Sequence, residues 1–121
     1  MAQLATTIVD QKPAVQAAAI DRSQLARMTF GDRSLERELL ELFDRQAAML
    51  LSRMRGCEAA TAAALAHTLK GSALGIGAAA VAAAAEAIER AATASERNTA
   101  FDRLDGAIES ARATIADMLA A

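Results

Sequence analysis

Pro13 is the only proline in the chain, and the long alanine-rich stretch beyond it offers a helix almost no obstacle. Alanine has the most favourable helix propensity and proline the least. No stretch alternates apolar and polar residues with the period of two that marks a half-buried strand. The sequence therefore specifies an all-α fold, and the remaining question is where its helices begin and end.

Asp21 is placed to cap a short helix over about residues 22–29 that Gly31 closes, and Asp32 to cap a longer one over about 33–55 that ends at Gly56. Within the longer helix, Leu35, Leu39, Leu42, Phe43, Met49, Leu50 and Met54 recur at spacings that suit one buried stripe. A third helix is expected over about 58–74, punctuated by Gly75 and Gly77, a fourth over about 78–93 and a fifth over about 97–119. The last carries Phe101, Leu104, Ala107, Ile108, Ala111, Ile115, Met118 and Leu119 as its stripe. Short connections favour antiparallel neighbours. The expected architecture is an antiparallel up-down four-helix bundle with a short accessory N-terminal helix. Residues 1–19 read as a partly flexible tail, with a helical turn or two after Pro13, and residues 20–121 as the bundle domain.

The chain of 121 residues suits one domain. Its net charge of −2 and three Phe, with no Trp or Tyr, argue against nucleic-acid binding, which calls for a basic surface and often for stacking aromatics. Cys57 is alone, so neither an intramolecular disulfide nor a cysteine-based metal site can form, and it reads as a small half-buried residue near a helix start. The longest apolar run, Ala73 to Ala85, is 13 residues and contains two glycines, short of the ~20 that a membrane span needs. No secretory signal is apparent. A cytoplasmic protein is expected.

The functional signal is the sole histidine, His67, in the run His67-Thr68-Leu69-Lys70-Gly71-Ser72-Ala73-Leu74-Gly75-Ile76-Gly77-Ala78. At about 100° per residue, Leu65 and Leu69 share the core-facing side with Ala62, Ser72, Ala73 and Ile76, and His67 lies about 160° from both leucines. It should face solvent. Its own side carries Lys70 and Gly71, with Ala60, Ala63, Ala64 and Leu74 as a smooth surface around it. Exposed helix faces are ordinarily decorated with long polar side chains, and a glycine inside a helix costs about 1 kcal/mol relative to alanine. A nucleophile, a cation and a gap on one surface suggest a docking face where a negatively charged group is brought to the histidine.

The run from His67 to Ala78 resembles the signature of histidine-containing phosphotransfer (HPt) domains, roughly His-x-Leu-Lys-Gly-Ser/Ala followed by Gly-Ala. The similarity in helix order and length extends over about residues 20–119. The resemblance implies a bacterial-type phosphorelay carrier. His67 would take a phosphoryl group on Nε2 from one receiver-domain aspartate and pass it to another. Lys70 would offset charge on the phosphoryl oxygens, and Gly71 would give the partner's active-site rim clearance. Glu89, on the following helix, matches the position of a Gln or Glu that accepts a hydrogen bond from Nδ1; read without the family, it is a surface acid paired with Arg90 or another neighbour. Ser72 and Gly75 match as packing and helix-terminating residues.

The implied partners are response-regulator receiver domains and a hybrid histidine kinase. The chain would need no cofactor of its own, with Mg²⁺ supplied by the receiver, and would act as a monomer. There is no glycine-rich nucleotide loop, so a phosphocarrier rather than an ATP-dependent kinase is expected. Met1 and the end just after the last helix suggest a stand-alone protein. Met28, Phe30 and the early second helix are further candidates for the docking surface. Two other readings stay open: a non-catalytic module that binds or sequesters a receiver, and a helical adaptor whose smooth face packs against another helix.

Overall fold

The computed structural model describes residues 19–121, and within them the chain is helical with no strand. The tail assigned to residues 1–19, with its turn after Pro13, lies outside the described residues except at Ala19. Five helices follow in order: α1 (Arg22–Thr29), α2 (Arg33–Arg55), α3 (Ala59–Ile76), α4 (Ala79–Arg90) and α5 (Ala94–Ala120). Helices α2, α3, α4 and α5 pack in a closed ring, each against two of the others, while α1 lies against α2 and α3. None of these helices is long and apolar enough to cross a membrane.

The core runs along the centre of this ring. Leu40, Phe43, Leu50 and Met54 come from α2, Leu69 and Ile76 from α3, Val81 and Ile88 from α4, and Phe101, Leu104, Ile108 and Ile115 from α5. Each large side chain fully removed from water stabilises the fold by roughly 1.5–3 kcal/mol. Between α3 and α4 the packing is mostly alanine, with Ala62, Ala66 and Ala73 on one helix and Ala82, Ala84 and Ala85 on the other, all buried. Small residues bring the two backbones close, which sets polar side chains at the edge of this contact within reach of each other.

Local chemistry explains most helix ends. The Asp21 carboxylate accepts from Ser23 N–H and Gln24 N–H, and that of Asp32 accepts from Leu35 N–H, so both expected caps form. Thr93 and Glu96 form a reciprocal capping box that starts α5 at Ala94, three residues before the expected 97. Helix α4 spans Ala79–Arg90, shorter than the expected 78–93, because Ala91 is extended and Thr93 already belongs to the next cap. Helix α1 closes on Phe30, whose φ of 54° is left-handed, one residue before the expected Gly31.

Two further expectations fail. Leu35, Leu42 and Met49 do not join the α2 core stripe and are exposed. They recur every seven residues and so share a face roughly 120° from the one formed by Leu40, Phe43, Ala47, Leu50 and Met54. Gly75 does not end α3, which continues through Ile76 to a left-handed Gly77 with φ 80°. At Gly77 the Asp21 N–H donates to the glycine carbonyl at 2.8 Å, and a Cβ would fall 2.7 Å from the Asp21 carbonyl oxygen. Only glycine fits, and this contact fixes the entry to α1 against the end of α3.

Candidate functional site

His67 sits mid-way along α3 with its side chain 70% exposed, on the flank nearest α4. From α4, Glu89 brings Oε2 to 2.7 Å from His67 Nδ1. The other oxygen, Oε1, is shielded from solvent and makes no hydrogen bond of good geometry, but it lies 3.2 Å from the Lys70 ammonium. Lys70 also stands 3.9 Å from Glu86, which in turn pairs with Arg90 at 2.9 Å. One carboxylate thus bridges the histidine and the lysine that the sequence placed side by side.

The electrostatics follow from this bridge. Burial pushes the Glu89 carboxyl up, but the hydrogen bond to His67 and the adjacent Lys70 ammonium outweigh it, and its pKa lies below the ordinary 4.5. Glu89 is therefore ionised at neutral pH and can only accept. The proton of a neutral imidazole must then sit on Nδ1, donated to Glu89, which leaves the Nε2 lone pair directed away from the carboxylate. The ring is held in one tautomer with its nucleophilic nitrogen available. Among the described residues, no group of three or more His, Cys, Asp or Glu could hold a metal ion.

The surface around His67 is smooth. Ala60, Ala64 and Gly71 are exposed, and Ala63 is half-buried. A Cβ on Gly71 would meet no atom within 4 Å, so nothing in the fold itself requires glycine there. Leu74 projects into solvent. Ser72 turns to the other flank of α3 and donates to Gln46 of α2 at 3.3 Å. Cys57 is half-buried, away from any ionisable cluster.

One group beside the site escaped the sequence, and one groove was legible in it only in part. Glu86 is three residues before Glu89 and so shares its face of α4, a spacing that could have flagged it. The groove is apolar, of about 160 Å³, and lies where α1, α2 and α3 meet, with Met28, Leu42 and Gly75 among its lining. Of the outward-facing Leu35, Leu42 and Met49, only Leu42 lines it, and Met28 with the early second helix is already among the docking candidates that the sequence offers.

A family model described as Hpt domain matches residues 34–121. No curated protein and no solved structure matches the chain.

Proposed function

The chain belongs to the Hpt domain family, which implies histidine phosphotransfer in two-component signalling, and on that premise we propose that His67 is its phosphoacceptor, relaying a phosphoryl group between receiver-domain aspartates. The observation that carries this reading is the His67–Glu89 bond, which commits Nδ1 as a donor and leaves Nε2 free on an exposed ring. In the forward step the Nε2 lone pair attacks phosphorus, the bond from phosphorus to the aspartyl oxygen breaks, and the receiver keeps a free carboxylate. Nδ1 retains its proton, so the imidazole becomes cationic as the new bond forms. Glu89, already ionised beside it, balances that charge without a proton leaving the site. The same path run backwards loads the next receiver.

Lys70 serves the phosphoryl oxygens. Its ammonium is held by Glu89 and Glu86 in the resting protein, with the side chain half-buried. Gly71, with open space above it, lets the rim of the receiver's active site approach, and Ala60, Ala63, Ala64 and Leu74 form the surface on which that rim rests. The receiver supplies the acidic pocket and the Mg²⁺. The ring of α2–α5 is taken as an antiparallel up-down bundle with α1 as its accessory helix, acting as a cytoplasmic monomer between a hybrid histidine kinase and response regulators.

The test is to incubate the protein with a phosphorylated receiver domain. The expected label on His67 is acid-labile and alkali-stable. His67→Gln should remove it while leaving the helical spectrum intact. Labelling that persists in this variant overturns the assignment.

A further inference from the structure

The charges beside His67 alternate in sign along the edge of the α3–α4 contact. Arg90 Nη2 stands 2.9 Å from Glu86 Oε2, and Glu86 Oε1 faces Lys70 Nζ at 3.9 Å. Lys70 is 3.2 Å from Glu89 Oε1, and Glu89 Oε2 closes the series on His67 Nδ1 at 2.7 Å. Among the described residues, the ion pairs of Glu86 are with Lys70 and Arg90 alone.

The two carboxylates hold Lys70 unequally. Glu89 Oε1 is shielded from solvent and makes no hydrogen bond of good geometry, so the ammonium is the cation that offsets it. Withdrawing Lys70 from Glu89 would strand a shielded charge, which is costly. Glu86 is 40% exposed, and Arg90 already engages its other oxygen. Withdrawing Lys70 from Glu86 costs little, because water and the guanidinium remain. A phosphorylated side chain carries about two negative charges near neutral pH. When such a group forms on Nε2, Glu86 is therefore the partner that Lys70 gives up.

We propose that Glu86 is a positioning residue that sets how firmly His67 retains a phosphoryl group, by competing with that group for Lys70, and that Arg90 weakens the competition by neutralising Glu86. The inference rests on the phosphotransfer reading above and supplies the tuning of that site. Glu86 acts twice in one direction: it draws the ammonium away, and its own charge repels the phosphoryl oxygens. Both effects favour return of the group to a receiver, and Arg90 opposes both. In the exchange the phosphorus–oxygen bond of the receiver breaks as the Nε2–phosphorus bond forms, with the aspartyl carboxylate as leaving group. The quantity that Glu86 sets is the equilibrium constant of this exchange. For the free proteins that constant does not depend on how well the receiver docks, so Glu86 must change it by one factor whichever receiver is used.

The experiment compares Glu86→Gln, Arg90→Gln and the double variant with the unaltered chain, using two receiver domains that label the unaltered chain. Each protein is mixed with a phosphorylated receiver. Each is also preloaded from phosphoramidate, where the phosphorus–nitrogen bond breaks, ammonia leaves and the phosphoryl group joins Nε2. The preloaded protein is freed of donor and mixed with unphosphorylated receiver, and phosphate on both partners is measured once the two mixtures agree. Glu86→Gln should raise the equilibrium constant for phosphorylated His67 about threefold, and Arg90→Gln should lower it about twofold, factors in keeping with partly exposed ion pairs. The double variant should match Glu86→Gln, because Arg90 acts through Glu86. An unchanged constant in Glu86→Gln overturns the inference but leaves the phosphotransfer reading standing. A shift of both single variants in the same direction also overturns it. Factors that differ between the two receivers assign Glu86 to docking and overturn it too. No labelling of the unaltered chain by any receiver, with His67 intact, removes the phosphotransfer reading itself and this inference with it.

Discussion

Glu89 accepts from His67 Nδ1 at 2.7 Å across the α3–α4 contact, so the imidazole is oriented by a helix other than its own. The alanine packing between those helices makes this possible, because larger residues would separate the two backbones. Replacing Glu89 with alanine should slow phosphorylation of His67 by about tenfold or more, the usual effect of removing a partner that orients a histidine. Glu89→Gln should retain part of the rate, because its amide oxygen can still accept. Single-turnover labelling by a phosphorylated receiver measures both.

The same carboxylate gives a pH signature. Its pKa lies below 4.5 in the folded chain, so its ionised form stabilises the fold above the unfolded value, and that contribution disappears as pH falls through the lower folded value. The stability difference between the native chain and Glu89→Gln should therefore be largest near neutral pH and close below about pH 4.5, as read by denaturant titration across pH.

Lys70→Ala should slow transfer while leaving the fold within about 1 kcal/mol, since its ion pairs are partly exposed. Phosphotransfer rate and thermal melting of one preparation separate the two effects.

Gly71→Ala should make the protein more stable and less active. The new methyl group enters open space, and the gain in helix propensity is about 1 kcal/mol. On the proposed reading the same methyl would lie under the approaching receiver, so transfer from a receiver should slow while labelling by phosphoramidate does not.

Two left-handed positions should respond in opposite directions. Phe30 has φ 54° and a side chain 93% exposed, so Phe30→Gly relieves backbone strain and should stabilise by about 1 kcal/mol. Gly77→Ala places a Cβ against the Asp21 carbonyl in a left-handed residue and should destabilise by about 2 kcal/mol or more. Chemical denaturation of both variants checks the pair.

The helices were legible because alanine propensity, aspartate caps and glycine stops act locally and agree with one another. The start of α5 is equally local, since Thr93 and Glu96 spell a capping box, but the helix's apolar stripe begins only at Phe101, well downstream of it. The faces of α2 were harder to read. Leu35, Leu42 and Met49 are as apolar as the core residues, and only their seven-residue spacing separates an outward stripe from the inward one. The exposure of His67 followed from its angle to Leu65 and Leu69. That Glu89 would share its two oxygens between His67 and Lys70 could not be read locally, because it depends on how closely α3 and α4 approach.

The free Nε2 of His67 has a kinetic consequence. On the proposed reading, a single nitrogen on one face serves both loading and unloading, so the receiver that delivers the phosphoryl group must leave before the receiver that collects it can dock. Donor and acceptor then compete for the same surface, and traffic through the protein follows ping-pong kinetics. The flow is set by the relative abundance and affinity of the two receivers rather than by any assembly that holds them together.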